Sequence, residues 1–224
     1  MICLYCHSRI EEEADLITMF KRRKPLCTPC RERLSLWRSG ERCSFCHRLM
    51  DSAEGECRDC RFLAENYRRP GKIMCMMDYT GEVKMLFHRY KFTKDAALRE
   101  VISMFLKCRF WEYDMSIPIP VSPARMEERG YNQTSMVLEA AKVPYRDILA
   151  TDKAGRQSEL GKRARIGASN PFYFKDDQVA PMLAGKRVLV VDDIYTTGIT
   201  VHQALEKIYT GKPAGVDVLT FSKA

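Results

Sequence analysis

Residues 187–201 read RVLVVDDIYTTGITV, and this stretch decides the fold class. After Arg187 come four branched apolar residues without polar alternation, which is typical of a strand buried on both faces of a parallel sheet. A helix is predicted over 200–208, because apolar residues recur there at helical spacing. Another strand, VDVLTF, is predicted at 216–221. Strands that alternate with helices predict an α/β doubly wound fold with a mainly parallel sheet.

The residues after the first strand predict a site for a phosphorylated ribose. In a doubly wound sheet, ligands bind beyond the carboxyl ends of the strands, where Asp192 and Asp193 can accept hydrogen bonds from two neighbouring hydroxyls. The N–H groups at a helix start bind phosphate, and Gly198 lets the backbone approach closely. Further hydroxyl donors come from Thr196, Thr197 and Thr200. A generic acidic pair after a strand is the alternative, and a P-loop is excluded because GxxxxGK[ST] is absent.

The other elements are predicted from periodicity and turn residues. Residues 61–77 are expected to form a connection, because YRRPG at 67–71 contains a Pro-Gly turn signal. Further elements are expected, in chain order, as a helix from Gly81, a helical run over 98–106, a short strand at the start of 116–123, a helix over 133–142 and a possible strand at 171–174.

Eight of the ten cysteines form four CxxC pairs. Two such pairs can surround one tetrahedral zinc ion with four sulfurs, and a closed site of this kind is structural because it leaves no position for water. The predicted zinc ligands are Cys3, Cys6, Cys27, Cys30, Cys43, Cys46, Cys57 and Cys60. A reducing compartment argues against disulfides. Haem attachment at the two CxxCH motifs would leave the other two pairs unused.

An internal repeat predicts which pairs share an ion. CLYCHSRI and CSFCHRLM are offset by 40 residues, and each is followed by its own second CxxC pair. We therefore expect the first two pairs to share one zinc and the last two to share another, with the crossed arrangement as the alternative. His7 and His47 are expected outside the ligand sets. Segments this short bury little surface, so the metal would supply folding free energy.

Composition indicates a globular protein of 224 residues, with 46% hydrophobic and 29% charged residues. No apolar run approaches the roughly 18–20 residues of a membrane helix, and the N-terminus does not resemble a signal peptide, so we expect a cytoplasmic protein. We divide the chain into a double zinc-ribbon module, 1–66, and a larger domain, 67–224. The net charge of +8 divides into +1 and +7 between these parts, so anion binding is expected mainly in the larger one.

The motif VLVVDDIYTTGIT resembles the binding signature of type I phosphoribosyltransferases. The whole chain, with its cysteine pairs and the segments GEVKMLFHRYKF and IPVSPARMEERGYNQ, resembles the ComF family. That family joins a zinc module to a phosphoribosyltransferase-like domain and is best known from bacterial DNA uptake. The resemblance implies that Asp192 and Asp193 hold the ribose hydroxyls and are the catalytic candidates. It implies a 5-phosphate loop made of Thr196, Thr197, Gly198, Ile199 and Thr200.

The resemblance also implies a site for the diphosphate of phosphoribosyl pyrophosphate, with Mg²⁺ bridging diphosphate and ribose oxygens. Its residues would be Val121, Ser122, Arg125 and Arg129, in and after PVSPAR. The basic stretch 151–166 sits where this class keeps a mobile loop over its ligand, although a disordered surface loop is an equal alternative. Purine-salvage members often carry an acid at the position of Thr196, so purine-base transfer is disfavoured here.

Three functions follow from the resemblance. The first is a DNA-uptake accessory protein that binds single-stranded DNA and a ComFA-type helicase/ATPase during natural transformation. The second is an active phosphoribosyltransferase with an unknown acceptor. The third is a regulatory sensor whose ligand sets the affinity for its partner. Four aromatic residues are candidates for stacking on bases, although core packing is the commoner fate of such side chains: Tyr131, Phe172, Tyr173 and Phe174.

Overall fold

The computed structural model describes residues 1–10, 25–51, 55–93, 95–152 and 170–224. The helices are α1 Thr28–Ser35, α2 Arg58–Asn66, α3 Gly81–Phe92, α4 Leu98–Ser103, α5 Pro123–Arg129, α6 Gln133–Ala140, α7 Val179–Leu183 and α8 Ile199–Tyr209, with a 3₁₀ turn at Phe110–Glu112. The strands are β1 Ile73–Asp78, β2 Met115–Pro118, β3 Leu149–Thr151, β4 Phe172–Phe174, β5 Arg187–Tyr195 and β6 Gly215–Lys223. None of these helices is both long and apolar enough to cross a bilayer.

Four strands form one parallel sheet in the order β1-β6-β5-β2. Val190 lies at its centre, in register with Ile117 on one side and Val218 on the other. Strands β3 and β4 form a separate antiparallel pair, in which Leu149 lies opposite Phe174. The predicted mainly parallel sheet is confirmed.

Alternate residues of β5 pack on opposite faces of the sheet. Val188 and Val190 join the apolar face of α8 in one core group. Leu189 and Val191 join α3, α4 and α6 in the other. All four side chains are fully buried, which explains why this strand shows an unbroken apolar run and confirms the doubly wound arrangement.

The expectation that residues 61–77 form only a connection is wrong. The first part continues α2, and Ile73–Asp78 forms the edge strand β1. Its sequence, IMCMMD, has few β-branched residues, so local propensity gives little strand signal. The strand forms because it pairs with β6, a partner about 145 residues away, with Ile73 opposite Val218. The Pro-Gly turn before it is present, and the Gly71 N–H donates to the Val216 carbonyl at 2.8 Å.

The two cysteine-rich segments pack against opposite faces of the sheet. Cys3 and Cys30 belong to the core group that contains α3. Cys43, Cys46, Cys57 and Cys60 belong to the group that contains α8. The predicted boundary between residues 66 and 67 stays a prediction.

Candidate ligand cavity and cysteine clusters

A cavity of about 470 Å³ opens at the carboxyl ends of β2 and β5. Because the two strands are parallel neighbours, the segments that follow them meet at the same edge of the sheet. Most of the predicted ligand residues line the cavity: Val121, Ser122, Arg125, Arg129, Asp192, Asp193, Thr196, Gly198 and Thr200. Thr197 does not line it, and Ile199 is buried against Leu63 and Tyr67. The predicted ligand residues that line the cavity thus come from two chain segments about seventy residues apart.

The acidic pair is held by its own backbone and by a lysine. Asp192 Oδ1 accepts a hydrogen bond from the Asp193 N–H at 2.8 Å, and Asp193 Oδ1 accepts one from the Ile194 N–H at 2.6 Å. Lys91 Nζ lies 2.7 Å from Asp193 Oδ2, with side-chain exposures of 15% and 17%. A ligand that binds Asp193 Oδ2 must therefore compete with Lys91.

Lys91 is a cavity residue that the sequence reasoning missed. It lies in the last turn of α3, and periodicity identified only the apolar face of that helix. A lysine near the end of an amphipathic helix is usually a solvated group that complements the helix dipole. Its position beside Asp193 depends on how α3 packs across β5, which local sequence does not reveal.

Gly198 shapes the turn that precedes α8. Its φ of +85° lies in the left-handed region, which glycine adopts without steric penalty. A Cβ at this position would collide with the Tyr195 hydroxyl and lie 2.9 Å from Leu63 Cδ1. Thr196 is exposed and Thr200 is partly buried, and both line the cavity beside the start of α8. This arrangement is a suitable anion site, because helix N-termini present unpaired N–H groups.

A buried cation lies among the predicted diphosphate residues. Arg129 is 7% exposed, and its Nε has no hydrogen-bond partner among the described residues. The pKa of Arg129 is lowered, first by burial and then by the neighbouring Arg125. Gln133 Nε2 is likewise buried, and no described residue offers it a hydrogen-bond acceptor. Buried donors are normally satisfied, so these two groups predict an anionic or hydrogen-bond-accepting occupant.

The remaining sequence candidates are only partly placed. Thr151 lines the cavity, whereas residues 153–166 of the predicted covering stretch lie outside the described residues. Among the four aromatic candidates for stacking, Tyr173 is 42% exposed. Phe172 is buried in the cavity wall, and the Tyr131 hydroxyl donates to the Tyr90 carbonyl at 2.6 Å. Tyr173 is therefore the most accessible member of the set.

The cysteines form two four-sulfur clusters, and in each the sulfurs lie within 4.8 Å of one another. Cys6 and Cys27 sulfurs are 3.7 Å apart, and Cys43 and Cys60 sulfurs are likewise 3.7 Å apart. Zinc–sulfur bonds of about 2.3 Å in a tetrahedron place sulfurs about 3.8 Å apart. Each cluster can therefore hold a zinc ion. The sequential pairing is confirmed and the crossed pairing is wrong.

The two ribbons repeat the same local geometry. His7 and His47 both adopt a positive φ, 62° and 61°, and their N–H groups each donate to a cysteine carbonyl at 2.9 Å. Their rings lie outside the sulfur clusters, as expected, because His7 Nε2 contacts Arg89 and His47 Nε2 contacts the Ile73 carbonyl. The second pair of each ribbon begins a helix, with Cys27 and Cys57 as N-caps.

A buried lysine contacts the turn that precedes α8. Lys223 is 1% exposed, and its Nζ donates to the carbonyls of Tyr195 at 3.1 Å and Thr196 at 3.0 Å. Burial lowers the pKa of Lys223, and the negative charge of Cys46 opposes that shift. The lysine thus ties the backbone of the turn to the neighbourhood of the sulfurs.

Comparison with known proteins agrees with this architecture. Residues 121–222 match the phosphoribosyl transferase domain family. The chain is 31% identical to competence protein ComFC of Streptococcus pneumoniae over 99% of both chains. It is 29% identical to competence protein ComFC of Bacillus subtilis, over 100% of this chain and 95% of that one. It is 23% identical to DNA utilization protein YhgH of Escherichia coli O157:H7, over 86% of this chain and 94% of that one.

The paired cysteine clusters, the parallel sheet and the full-length similarity lead to one conclusion: this chain belongs to the ComF family.

Proposed function

We propose that the cavity binds phosphoribosyl pyrophosphate or a closely related sugar phosphate. The observation that carries the proposal is the buried Arg129, whose Nε has no hydrogen-bond partner in the described part of the chain, in the same cavity as Asp192 and Asp193. A ligand with an anionic group at one end and neighbouring hydroxyls at the other can accept a hydrogen bond from Arg129 and donate hydrogen bonds to the two aspartates. The volume of about 470 Å³ lies within the range of roughly 300–1,000 Å³ usual for ligand sites.

The roles follow from the chemistry of the lining. Asp192 and Asp193 accept hydrogen bonds from the ribose hydroxyls, and the 5-phosphate binds beside Thr196, Gly198 and Thr200, the members of the predicted loop that line the cavity. Val121, Ser122, Arg125 and Arg129 take the diphosphate. Carboxylate and phosphate oxygens suit Mg²⁺, which would screen the charge of the diphosphate. Lys91 then exchanges its contact with Asp193 for a ligand oxygen.

Calorimetry with phosphoribosyl pyrophosphate and Mg²⁺ tests this proposal. We expect binding by the parent chain and none by Asp192→Ala combined with Asp193→Ala. The matched control combines Asp176→Ala with Asp177→Ala, because this second adjacent acidic pair is exposed and does not line the cavity. The control should bind as the parent does. Equal binding by the Asp192/Asp193 variant would refute the site.

For the cellular role we propose a cytoplasmic accessory protein of DNA uptake with two structural zinc ions. The names of the relatives, competence protein and DNA utilization protein, support this role. Binding of single-stranded DNA is supported by the net charge of +7 in residues 67–224 and by the exposed Tyr173. A ComFA-type helicase/ATPase is the proposed partner, on the strength of the family alone.

A gel-shift series with oligothymidylate tests DNA binding. Because phosphate contacts release counterions, affinity should fall steeply as salt rises, and Tyr173→Ala should weaken it. Absence of any shift at low salt would remove DNA from the proposal and leave the sugar-phosphate site untouched.

A catalytic phosphoribosyltransferase is the second candidate. The exposed Thr196 stands where purine-salvage enzymes often carry an acid, so an acceptor screen should extend beyond purine bases. A regulatory sensor is the third, and it requires that partner affinity change when the sugar phosphate is added.

A further inference from the structure

The helix that carries half of the second cysteine cluster also reaches the turn that precedes α8. Cys57 caps α2 and Cys60 lies in its first turn. Leu63, three residues further along, is 2% exposed. Its Cδ1 would lie 2.9 Å from a Cβ at Gly198. The metal ligands and the turn are therefore separated by less than two turns of one helix.

The end of α2 packs against the beginning of α8. Leu63, Tyr67 and Ile199 form a single buried apolar group. The Tyr67 ring lies 5.7 Å, centre to centre, from the His202 ring. His202 Nδ1 in turn lies 3.0 Å from the Gly198 carbonyl. These contacts fix where α8 starts, and hence where its first N–H groups point.

A second set of contacts, through the ends of β5 and β6, joins the second cluster to the same turn. Tyr195 packs in one core group with all four cysteines of the second cluster. Lys223 donates to the carbonyls of Tyr195 and Thr196, and it lies opposite Tyr195 in the parallel register of β5 and β6. Four thiolates and one Zn²⁺ would carry a net charge of −2, which the ammonium group of Lys223 would partly balance through its electrostatic interaction with Cys46 and Cys57.

The first cluster lacks this connection. Its buried members Cys3 and Cys30 pack with Leu34 and with the apolar face of α3. Among the described residues, none from 195 to 200 belongs to that group. The two ribbons share a fold but contact different parts of the larger domain.

We propose that the metal of the second cluster positions the turn that precedes α8 and the start of that helix, residues 196–200, acting through Leu63 on α2. Leu63 is a positioning residue in this account, since it touches the turn and does not line the cavity. The ligand part of the inference rests on the proposed function. The positioning itself does not, because it concerns the backbone of residues 196–200.

The test compares Leu63→Ala with Leu34→Ala in the zinc-loaded protein. Both leucines are buried and lie shortly after the last cysteine of their ribbon, so both variants should lower the melting temperature. Amide hydrogen exchange at residues 196–201 should become faster by about tenfold in Leu63→Ala alone. The affinity for phosphoribosyl pyrophosphate with Mg²⁺ should fall by about tenfold, a change of about 1.4 kcal/mol.

A reciprocal measurement follows the equilibrium competition for zinc between the protein and a chromogenic chelator. Linkage requires that a ligand favoured by the ordered turn also favours the metal that orders it. Phosphoribosyl pyrophosphate should therefore raise the zinc affinity of the second cluster in the parent chain and in Leu34→Ala, and should raise it less in Leu63→Ala.

Unchanged exchange at residues 196–201 in Leu63→Ala would overturn the inference, as would equal acceleration in Leu34→Ala. If the parent chain binds no phosphoribosyl pyrophosphate, the proposed function fails. The exchange comparison then still decides whether Leu63 positions the turn.

Discussion

The two cysteine clusters have the same ligands and the same turn geometry, yet their surroundings differ. In the first cluster Cys6 is exposed and Cys27 is half-buried. In the second cluster all four cysteines are buried, with exposures of 8% or less. The first packs beside α3, whereas the second packs beside α8 and the turn that precedes it. The comparison teaches that cysteine spacing determines which residues bind metal, while packing determines what the metal supports.

The largest predicted difference comes from the second cysteine of each CxxCH motif. Cys46→Ser should lower the free energy of unfolding by about 4 kcal/mol or more, because loss of a buried metal site is among the most destabilising changes. Cys6→Ser should cost less, since water can reach the exposed position and complete the coordination. Chemical denaturation, with zinc content measured in parallel, checks both. Equal losses would mean that burial does not distinguish the ribbons.

The next prediction concerns Asp78 at the end of β1, which binds two arginines from the segment between the ribbons. Asp78 is 1% exposed, and it accepts hydrogen bonds from Arg38 Nε at 3.0 Å and Arg42 Nη2 at 2.9 Å. Asp78→Asn should cost about 1.5–3 kcal/mol, as for hydrogen bonds to a charged group, because Arg38 and Arg42 lose their carboxylate partner but remain partly exposed to water. The control Asp114→Asn changes a half-exposed carboxylate and should cost less than about 1 kcal/mol.

The same carboxylate predicts a pH dependence. Burial alone would raise the pKa of Asp78, but hydrogen bonds from Arg38 and Arg42 outweigh it and lower the pKa. Because the folded pKa lies below the unfolded value of about 3.9, this stabilisation is present above about pH 4 and is lost as the pH falls below it. Denaturation midpoints between pH 7 and pH 3 should fall more for the parent than for Asp78→Asn. Parallel curves would contradict the assignment.

The smallest effect is expected where the first ribbon contacts α3. The Tyr5 hydroxyl donates to the Glu82 carboxylate, and Arg33 Nη1 lies 3.2 Å from the same side chain. Tyr5→Phe should cost about 1 kcal/mol, as for a typical hydrogen bond, with no change in affinity for phosphoribosyl pyrophosphate. A tenfold loss of affinity would show that the first ribbon also controls the cavity, and it would break the comparison.

Some of this structure was predictable because its signals are local. The run of four apolar residues before Asp192, with the helix that begins near Thr200, marked the central strand and its turn. The 40-residue repeat of CxxCH identified the sulfur pairing, because each copy is followed by its own second CxxC pair and the two pairs together supply four sulfurs. Val121, Ser122 and Arg125 within PVSPAR, and Arg129 after it, were found through family resemblance. The structure brings them to the same cavity as Asp192 and Asp193.

Other features were not predictable, because they depend on residues distant in the chain. Strand β1 forms through pairing with β6, and its methionines give no strand signal of their own. Lys91 and Gln133 reach the cavity only after α3 and α6 pack against β5. The contact of Leu63 with Gly198 joins residues 135 positions apart, so no local pattern could indicate it.

The most direct measurement is a crystal structure of the protein grown with phosphoribosyl pyrophosphate and Mg²⁺. We predict density for the ribose at Asp192 and Asp193, for the 5-phosphate at residues 196–200 and for the diphosphate at Arg129, with Lys91 released from Asp193. An empty cavity at saturating ligand, or a ligand bound elsewhere while the Lys91–Asp193 pair stays closed, would contradict the account.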